Sequence, residues 1–119
     1  MIDEINKWFI LAERDFISAK KNFKKRIYYV SAFLCQQSIE KALKALYIKK
    51  YQKLLKIHDL VKLAKKVGAD INILDICAEL NPIYIETRYP DVPTSYNKVD
   101  LKKLLKDTEK VLIWIKTNL

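Results

Sequence analysis

The segment from Glu86 to Asp91 brings together the side chains whose chemistry is easiest to name. Arg88 stands where a helix is expected to end, and a rigid loop follows that carries the carboxylate of Asp91 and the phenols of Tyr89 and Tyr96. A guanidinium group offers a planar fork that matches phosphate or carboxylate. A structural interpretation is equally open, in which Arg88 complements a helix dipole and the tyrosines pack the loop down. We take all four as candidate ligand-binding residues.

A second polar group lies in the middle of the second predicted helix. Gln36 falls on the apolar stripe of that helix, and a buried amide needs hydrogen-bond partners. A cross-helix bond is the favoured interpretation, with a ligand or a dimer mate as alternatives. Gln37 and Lys41, one and five residues further on, are added to the candidate ligand-binding set. Glu40 and Lys44 are spaced as an i,i+4 ion pair that we expect to be solvated.

The only histidine is His58, at the start of a predicted short helix. That position predicts a capping or packing role, and one histidine without a cluster of partners predicts no metal site. The two cysteines, Cys35 and Cys77, stand in apolar helical contexts and are expected to be reduced core residues. We therefore expect no metal and no cofactor. The candidates for a catalytic role are Arg88, Tyr96, Asp91 and His58.

Composition predicts which class of fold must position these residues. The chain has 119 residues, of which half are hydrophobic, with one glycine and three prolines. Turns use glycine and proline, so their scarcity predicts long helices with short connections and excludes glycine-rich phosphate loops. We expect a single domain over residues 1–119. No secretory signal or apolar segment of membrane-spanning length is visible, which predicts a cytoplasmic protein without membrane association.

Hydrophobic spacing predicts an all-α fold, an up-and-down antiparallel bundle of about five helices. On the first helix Asp15 is assigned to the solvent face, and on the second Tyr29 is assigned to the inward stripe together with Gln36. Pro82 lies inside the fourth helix, which must either kink or begin again there. Gly68 suits a helix C′ position, and Asn97 with Asp100 resembles a capping box. The predicted helices are 2–25, 28–50, 58–67, 71–88 and 98–117, with a lysine-rich connection at 51–57 and a loop at 89–96.

The net charge of +9 is concentrated in one part of the chain. Residues 16–58 hold eleven Lys and Arg against one acid, a balance of +10. Such an excess suits a polyanion partner. The basic residues fall at the ends of the first two helices, however, roughly 33 Å apart at 1.5 Å per residue. No regular aromatic spacing interleaves them, so a solvated surface is favoured over a nucleic-acid groove.

Several segments in order resemble the HEPN family (higher eukaryotes and prokaryotes nucleotide-binding). The first is Trp8 with residues 12–15, and the second is Ala32-Phe33 with residues 36–46 of the second predicted helix. The third is His58-Asp59-Leu60, and the fourth is residues 88–91. The resemblance implies a five-helix bundle, which often forms homodimers. It further implies either a partnership with a small nucleotidyltransferase, as in toxin–antitoxin pairs, or a metal-independent ribonuclease. Ribonucleases of the family use an arginine and a histidine that are separated by four to six residues and meet at the dimer interface.

This chain departs from that spacing. Arg88 stands at the family arginine, but residues 89–97 contain no histidine, and Tyr96 is the nearest comparable side chain. The sequence therefore favours a homodimeric module over an enzyme. It would bind a nucleotide or RNA, or dock a nucleotidyltransferase, through Arg88. The alternative is a divergent ribonuclease that uses Arg88 with His58, Asp91 or Tyr96 from either subunit. A third possibility is a purely structural role in assembly.

Overall fold

A computed structural model describes residues 2–89 and 95–119, and these form helices without any strand. The all-α bundle predicted from the sequence is confirmed, with five helices and one additional single turn. Asp91 lies outside the described residues. The elements are α1 (Ile2–Lys24), α2 (Tyr28–Tyr51), α3 (Leu60–Lys66), α4 (Ile71–Leu80), the single turn α5 (Ile83–Glu86) and α6 (Lys98–Asn118).

Helices α1 and α2 form a closely packed antiparallel hairpin. The Ser31 hydroxyl of α2 donates to the Ala19 carbonyl of α1 at 2.8 Å, and Ser38 donates to the Ala12 carbonyl at 2.7 Å. Both alanines are fully buried. The two bonds are seven residues apart on each helix and run in opposite directions, which fixes the antiparallel register. Small residues at these positions allow the two backbones to approach.

Helix α2 is the centre of the bundle and packs against all five other elements. Its core positions include Ile39 and Leu43, which are fully buried, so the predicted central role is confirmed. The assignment of Tyr29 to the inward stripe is wrong, because that side chain is exposed. At this first turn Tyr28 faces the bundle instead, and its ring lies 5.9 Å from the ring of Phe23.

The assignment of Asp15 to the solvent face of α1 is also wrong. Its side chain is buried, and the Lys41 ammonium of α2 lies 2.5 Å from its carboxylate. The hydrophobic spacing of α1 does not predict this, because the cation that neutralises Asp15 comes from a different helix. The charge of Lys41 is in turn neutralised by Asp15, within the hairpin of α1 and α2.

The segment from α3 to α5 is held by side-chain caps. Asp59 accepts from the Lys62 amide, and Asn81 accepts from the Leu60 amide while donating to Asp59. Gly68 ends α3 with a φ of +79°, as its position predicted. Of the two alternatives for Pro82, the restart is confirmed, because α4 ends at Leu80 and α5 begins at Ile83.

Helix α6 begins with the predicted capping box, in which Asn97 and Asp100 satisfy each other's backbone amides. Cys35 of α2 lies beside Thr108 of α6, and Lys49 near the end of α2 donates to the carbonyls of Asn118 and Leu119. Helix α6 therefore runs parallel to α2 and antiparallel to α1. Both cysteines are free and buried, as predicted, and burial raises the pKa of each thiol to about 12. No helix of the described residues is long and apolar enough to cross a membrane.

Replacing Ala12 with leucine should destabilise the protein by about 1–3 kcal/mol, because three additional carbons have no room where Ser38 bonds the Ala12 carbonyl. Urea unfolding followed by helical circular dichroism measures this difference. Lys7→Leu adds a leucine at an exposed position of the same helix and should change the free energy of unfolding by less than about 0.5 kcal/mol. Equal stability of the two variants would contradict the close approach of α1 and α2.

Candidate functional site

A cleft of about 580 Å³ opens between α3 and the α4–α5 segment. Its walls are mostly apolar, and its polar groups come from the residue before the α3 cap, the cap itself and the turn between α4 and α5. Caps and the Asn81-Pro82 turn hold these groups on rigid elements. The lining residues are His58, Asp59, Val61, Ala78, Asn81, Pro82, Tyr84 and Ile85.

Two flat side chains that line this cleft, His58 and Tyr84, are grouped with a third, Arg88, which contacts Tyr84. The His58 and Tyr84 rings are stacked with centroids 4.6 Å apart and planes 16° from parallel. The Arg88 guanidinium lies 4.4 Å from the centroid of the same Tyr84 ring. The Arg88 guanidinium and the His58 ring are therefore separated by no more than the sum of these two distances, although they are thirty positions apart in the chain. We call His58, Tyr84 and Arg88 the stacked triplet.

Beneath the stacked triplet lies a buried carboxylate, that of Glu40 in α2. Its side chain is 5% exposed, and its oxygens lie 3.0 Å from the Lys44 ammonium and 3.2 Å from the Gln36 amide nitrogen. The Lys44 side chain is 8% exposed and also lies 5.4 Å from the Trp8 ring centroid. The expectation that Glu40 and Lys44 form a solvated pair is wrong, because α2 is covered on this side by neighbouring elements. The pair is compensated by charge and by hydrogen bonds, as burial requires.

The same carboxylate orients His58. Nδ1 of His58 lies 3.2 Å from each oxygen of Glu40. An ionised carboxylate only accepts hydrogen bonds, so Nδ1 must be the protonated nitrogen. In neutral His58 the second ring nitrogen, Nε2, is then an acceptor, and no side chain among residues 2–89 and 95–119 bonds to it. Because the His58 side chain is 54% exposed, this nitrogen is available to accept a proton or a hydrogen bond from a ligand.

Arg88 and Tyr89 are exposed immediately beyond α5. Arg88 lines a smaller cavity of about 240 Å³ with Tyr29, Val30 and Phe33 of α2. Its contact with the Tyr84 ring, which lines the larger cleft, is what connects the guanidinium to that cleft. Its position at a helix end, next to an aromatic ring, leaves its nitrogens able to bind an anion.

The hydroxyl of Tyr96 is bonded to Glu86 of α5 and donates to its carboxylate at 2.5 Å. Partial burial, together with this bond to an acid, raises the pKa of Tyr96 above its ordinary value. The phenol therefore stays protonated at neutral pH and is even less suited to act as a base than an ordinary tyrosine.

None of the three candidate residues of α2 lines the cleft. Gln36 and Gln37 are bonded to it indirectly, through Glu40, and Lys41 lies outside it. Gln36 is fully buried, donates to Glu40 and accepts from Gln37 at 2.7 Å. The cross-helix bond favoured for Gln36 is therefore wrong, since both bonds stay within α2. Lys41 is engaged with Asp15 of α1 and does not reach the cleft.

Sequence reasoning missed Tyr84 and Asn81 and misjudged Glu40. Gln36, Glu40 and Lys44 are spaced by four, so they form a polar ladder along one side of a helix that is otherwise apolar. That ladder was the available signal for a buried charge. Among residues 2–89 and 95–119, no three His, Cys, Asp or Glu side chains are grouped as metal ligands would be.

The tautomer of His58 can be measured directly, since the chain has one histidine. We expect ¹⁵N NMR of histidine-labelled protein at a pH where the ring is neutral to show the proton on Nδ1. In Glu40→Gln the charge that holds this proton is lost, and the Nε2-protonated form should increase. Glu79→Gln, at an exposed glutamate of α4, is the control and should leave the spectrum unchanged. Neutral His58 protonated on Nε2 in the unaltered protein would contradict the geometry.

Comparison with known proteins agrees with the fold. The family model described as the HEPN domain matches residues 5–118. TT1696 from Thermus thermophilus is similar with a TM-score of 0.89 at 22% identity over 98% of each chain. ST0689, an archaeal HEPN homologue, is similar with a TM-score of 0.82 at 27% identity over 96% of each chain. No curated protein gives a significant match. With the family model matching nearly its whole length, the chain belongs to the HEPN domain family.

Proposed function

We propose that the stacked triplet and its cleft bind a nucleotide, either free or as part of an RNA strand. The observation that carries this proposal is the contact of one exposed histidine and one arginine with the same tyrosine ring. A nucleotide combines a flat base with an anionic phosphate. Aromatic and guanidinium faces stack on bases, and guanidinium nitrogens bind phosphate.

The lining of the cleft suits such a ligand. Apolar walls from Val61, Ala78 and Ile85 can cover a base, as in small-molecule sites where a few polar groups give orientation. Asn81 has already used one oxygen lone pair and one amide hydrogen on the α3 cap. Its second lone pair and second hydrogen remain for an edge of the base.

A protein partner is part of the same proposal. Arg88 and Tyr29 line one cavity, and both are exposed, as is Tyr89. Aromatic residues together with arginine are typical of interfaces. The family resemblance suggests a small nucleotidyltransferase in a toxin–antitoxin-like pair. Such a partner would present or receive the nucleotide at Arg88. The homodimer stays a prediction.

A divergent metal-independent ribonuclease is the second candidate, and the orientation of His58 favours it. With Nδ1 donating to Glu40, Nε2 can take the proton of an RNA 2′-hydroxyl as its oxygen attacks the adjacent phosphorus. The bond from phosphorus to the 5′-oxygen then breaks, which leaves a 2′,3′-cyclic phosphate, and the 5′-oxygen takes a proton from water. Arg88 would stabilise the charge that develops on the phosphate. Folding thus supplies a histidine near Arg88 that the local sequence lacks.

Arg88→Ala should weaken binding of labelled single-stranded RNA or of a nucleotide at least tenfold, since charge-assisted bonds to phosphate are worth about 1.5–3 kcal/mol. Fluorescence anisotropy over a series of salt concentrations measures the dissociation constant and its salt dependence. Arg14→Ala removes another exposed arginine and is the control for net charge. If both variants bind every probe as the unaltered protein does, the proposed site is wrong.

Cleavage separates the two candidates. If the protein is a ribonuclease, purified protein in a chelator should cut single-stranded RNA, and His58→Gln should abolish cutting while weakening RNA binding far less than Arg88→Ala does. Tyr96→Phe should retain cutting, because the phenol is occupied by Glu86. An absence of cleavage in the unaltered protein, with binding that depends on Arg88, would exclude the ribonuclease and leave the binding module.

A further inference from the structure

Four lysines from two helices form a positively charged surface that begins beside the cleft. Lys62, Lys65 and Lys66 are exposed on the solvent side of α3. Lys50, near the end of α2, is exposed too. Its ammonium lies 3.6 Å from the position that a Cβ atom on Gly68 would take, so it reaches over the end of α3. We call these four lysines the lysine ridge.

The lysine ridge extends from one concave surface to another. Val61, one turn before Lys65 on the same side of α3, lines the cleft. At the other end of α3, Lys50 and Val67 line a cavity of about 260 Å³. Helix α3 has seven residues and is therefore about 10 Å long at 1.5 Å per residue. A chain-like ligand that enters the cleft can thus follow α3 to the second cavity.

The connection between α2 and α3 adds positive charge beside the ridge. The Tyr51 hydroxyl donates to the Lys66 carbonyl at 2.8 Å, which holds the end of α2 at the end of α3. Residues 52–57 must therefore run back toward the start of α3. Lys53 and Lys56 are exposed in this stretch. The basic patch that the sequence predicts at the end of α2 thereby continues into α3.

The lysine ridge carries its charge without acidic partners. None of its four ammonium groups forms a salt bridge within the described part of the chain. Two carboxylates that flank α3 in the sequence are engaged in helix caps. Asp59 accepts from the Lys62 amide, and Asp70 accepts from the Ile73 amide. The positive charge of the ridge is therefore available to an anionic ligand.

This arrangement is unfavourable for the folded protein by itself. Lys62 is spaced three residues from Lys65 and four from Lys66, so like charges face each other on the surface of α3. The helix dipole favours Lys65 and Lys66 in the last turn, but Lys62 stands in the first turn, where a cation is disfavoured. Helix stability therefore does not account for Lys62. A polyanion bound along the ridge would offset the repulsion.

We propose that the lysine ridge binds the phosphates of a single-stranded RNA whose base occupies the cleft. This inference rests on the function proposed for the stacked triplet, and it makes the ligand a strand rather than a free nucleotide. Arg88 binds one phosphate, and phosphates further along the strand lie on α3. A strand is favoured over an acidic peptide because it combines flat bases with regularly repeated charge. Lysine binds phosphate as a point charge, so the ridge does not read sequence.

The variant K62Q/K65Q/K66Q tests the ridge by fluorescence anisotropy. It should bind a labelled single-stranded RNA of about ten nucleotides at least tenfold more weakly than the unaltered protein at about 0.1 M salt. The dependence of log Kd on log salt concentration should become less steep by about 0.7 for each lysine removed. Binding of adenosine monophosphate, measured by calorimetry, should be unchanged. K102Q/K106Q/K110Q removes three exposed lysines of α6 and is the control for net charge.

Lys62→Gln alone separates binding from folding. It removes the cation from the first turn of α3 and the repulsion with Lys65 and Lys66, so the midpoint of thermal unfolding should be equal or higher. RNA binding should nevertheless weaken. A lower midpoint would show that Lys62 serves the fold, and would overturn the inference.

The remaining outcomes distinguish the ridge from the site at Arg88. RNA affinity that is unchanged in K62Q/K65Q/K66Q, or reduced equally in the α6 control, would overturn the ridge and leave the proposed nucleotide site intact. Weaker binding of adenosine monophosphate in the ridge variant would also overturn it, because the lysines would then belong to the cleft itself. If the unaltered protein binds neither probe, the proposed function fails, and the inference fails with it.

Discussion

Glu40 holds a negative charge in the middle of the central helix, where neighbouring elements leave its side chain only 5% exposed. Desolvation of a carboxylate is costly unless it is paired and hydrogen-bonded. Gln36, Lys44 and His58 together meet that requirement. The arrangement of the cleft depends on this constraint, because His58, which lines the cleft, is oriented by the same carboxylate that α2 must neutralise.

The tertiary structure also shows that not all cations of the basic segment, residues 16–58, are available to bind a polyanion. Within residues 16–58, Lys41 is matched by Asp15 and Lys44 by Glu40, so two of the eleven cations neutralise charges inside the bundle. The remaining ones stay mostly at the helix ends, in the two patches that the sequence predicted. An anion at the candidate site would be bound chiefly by Arg88 and its aromatic neighbours.

The family spacing of arginine and histidine is absent from the sequence after Arg88. The fold nevertheless brings a histidine close to that arginine, through a tyrosine that contacts both. His58 comes from the segment before α3, and Arg88 from the end of α5. Chemistry that a short motif supplies in some relatives can therefore be assembled here from distant segments, and the HEPN fold by itself does not decide between binding and catalysis.

The sequence by itself determined the class of fold, the approximate bounds of five helices, the central place of α2, and the capping roles of Gly68 and of Asn97 with Asp100. These follow from periodicity and from local backbone chemistry, which act over a few residues. Only the tertiary structure decided that Asp15 and Glu40 are buried, that Tyr29 is exposed, and that His58 stacks on Tyr84 beside Arg88. Those outcomes depend on which side chain a different helix brings alongside, and hydrophobic spacing within one helix carries no information about that partner.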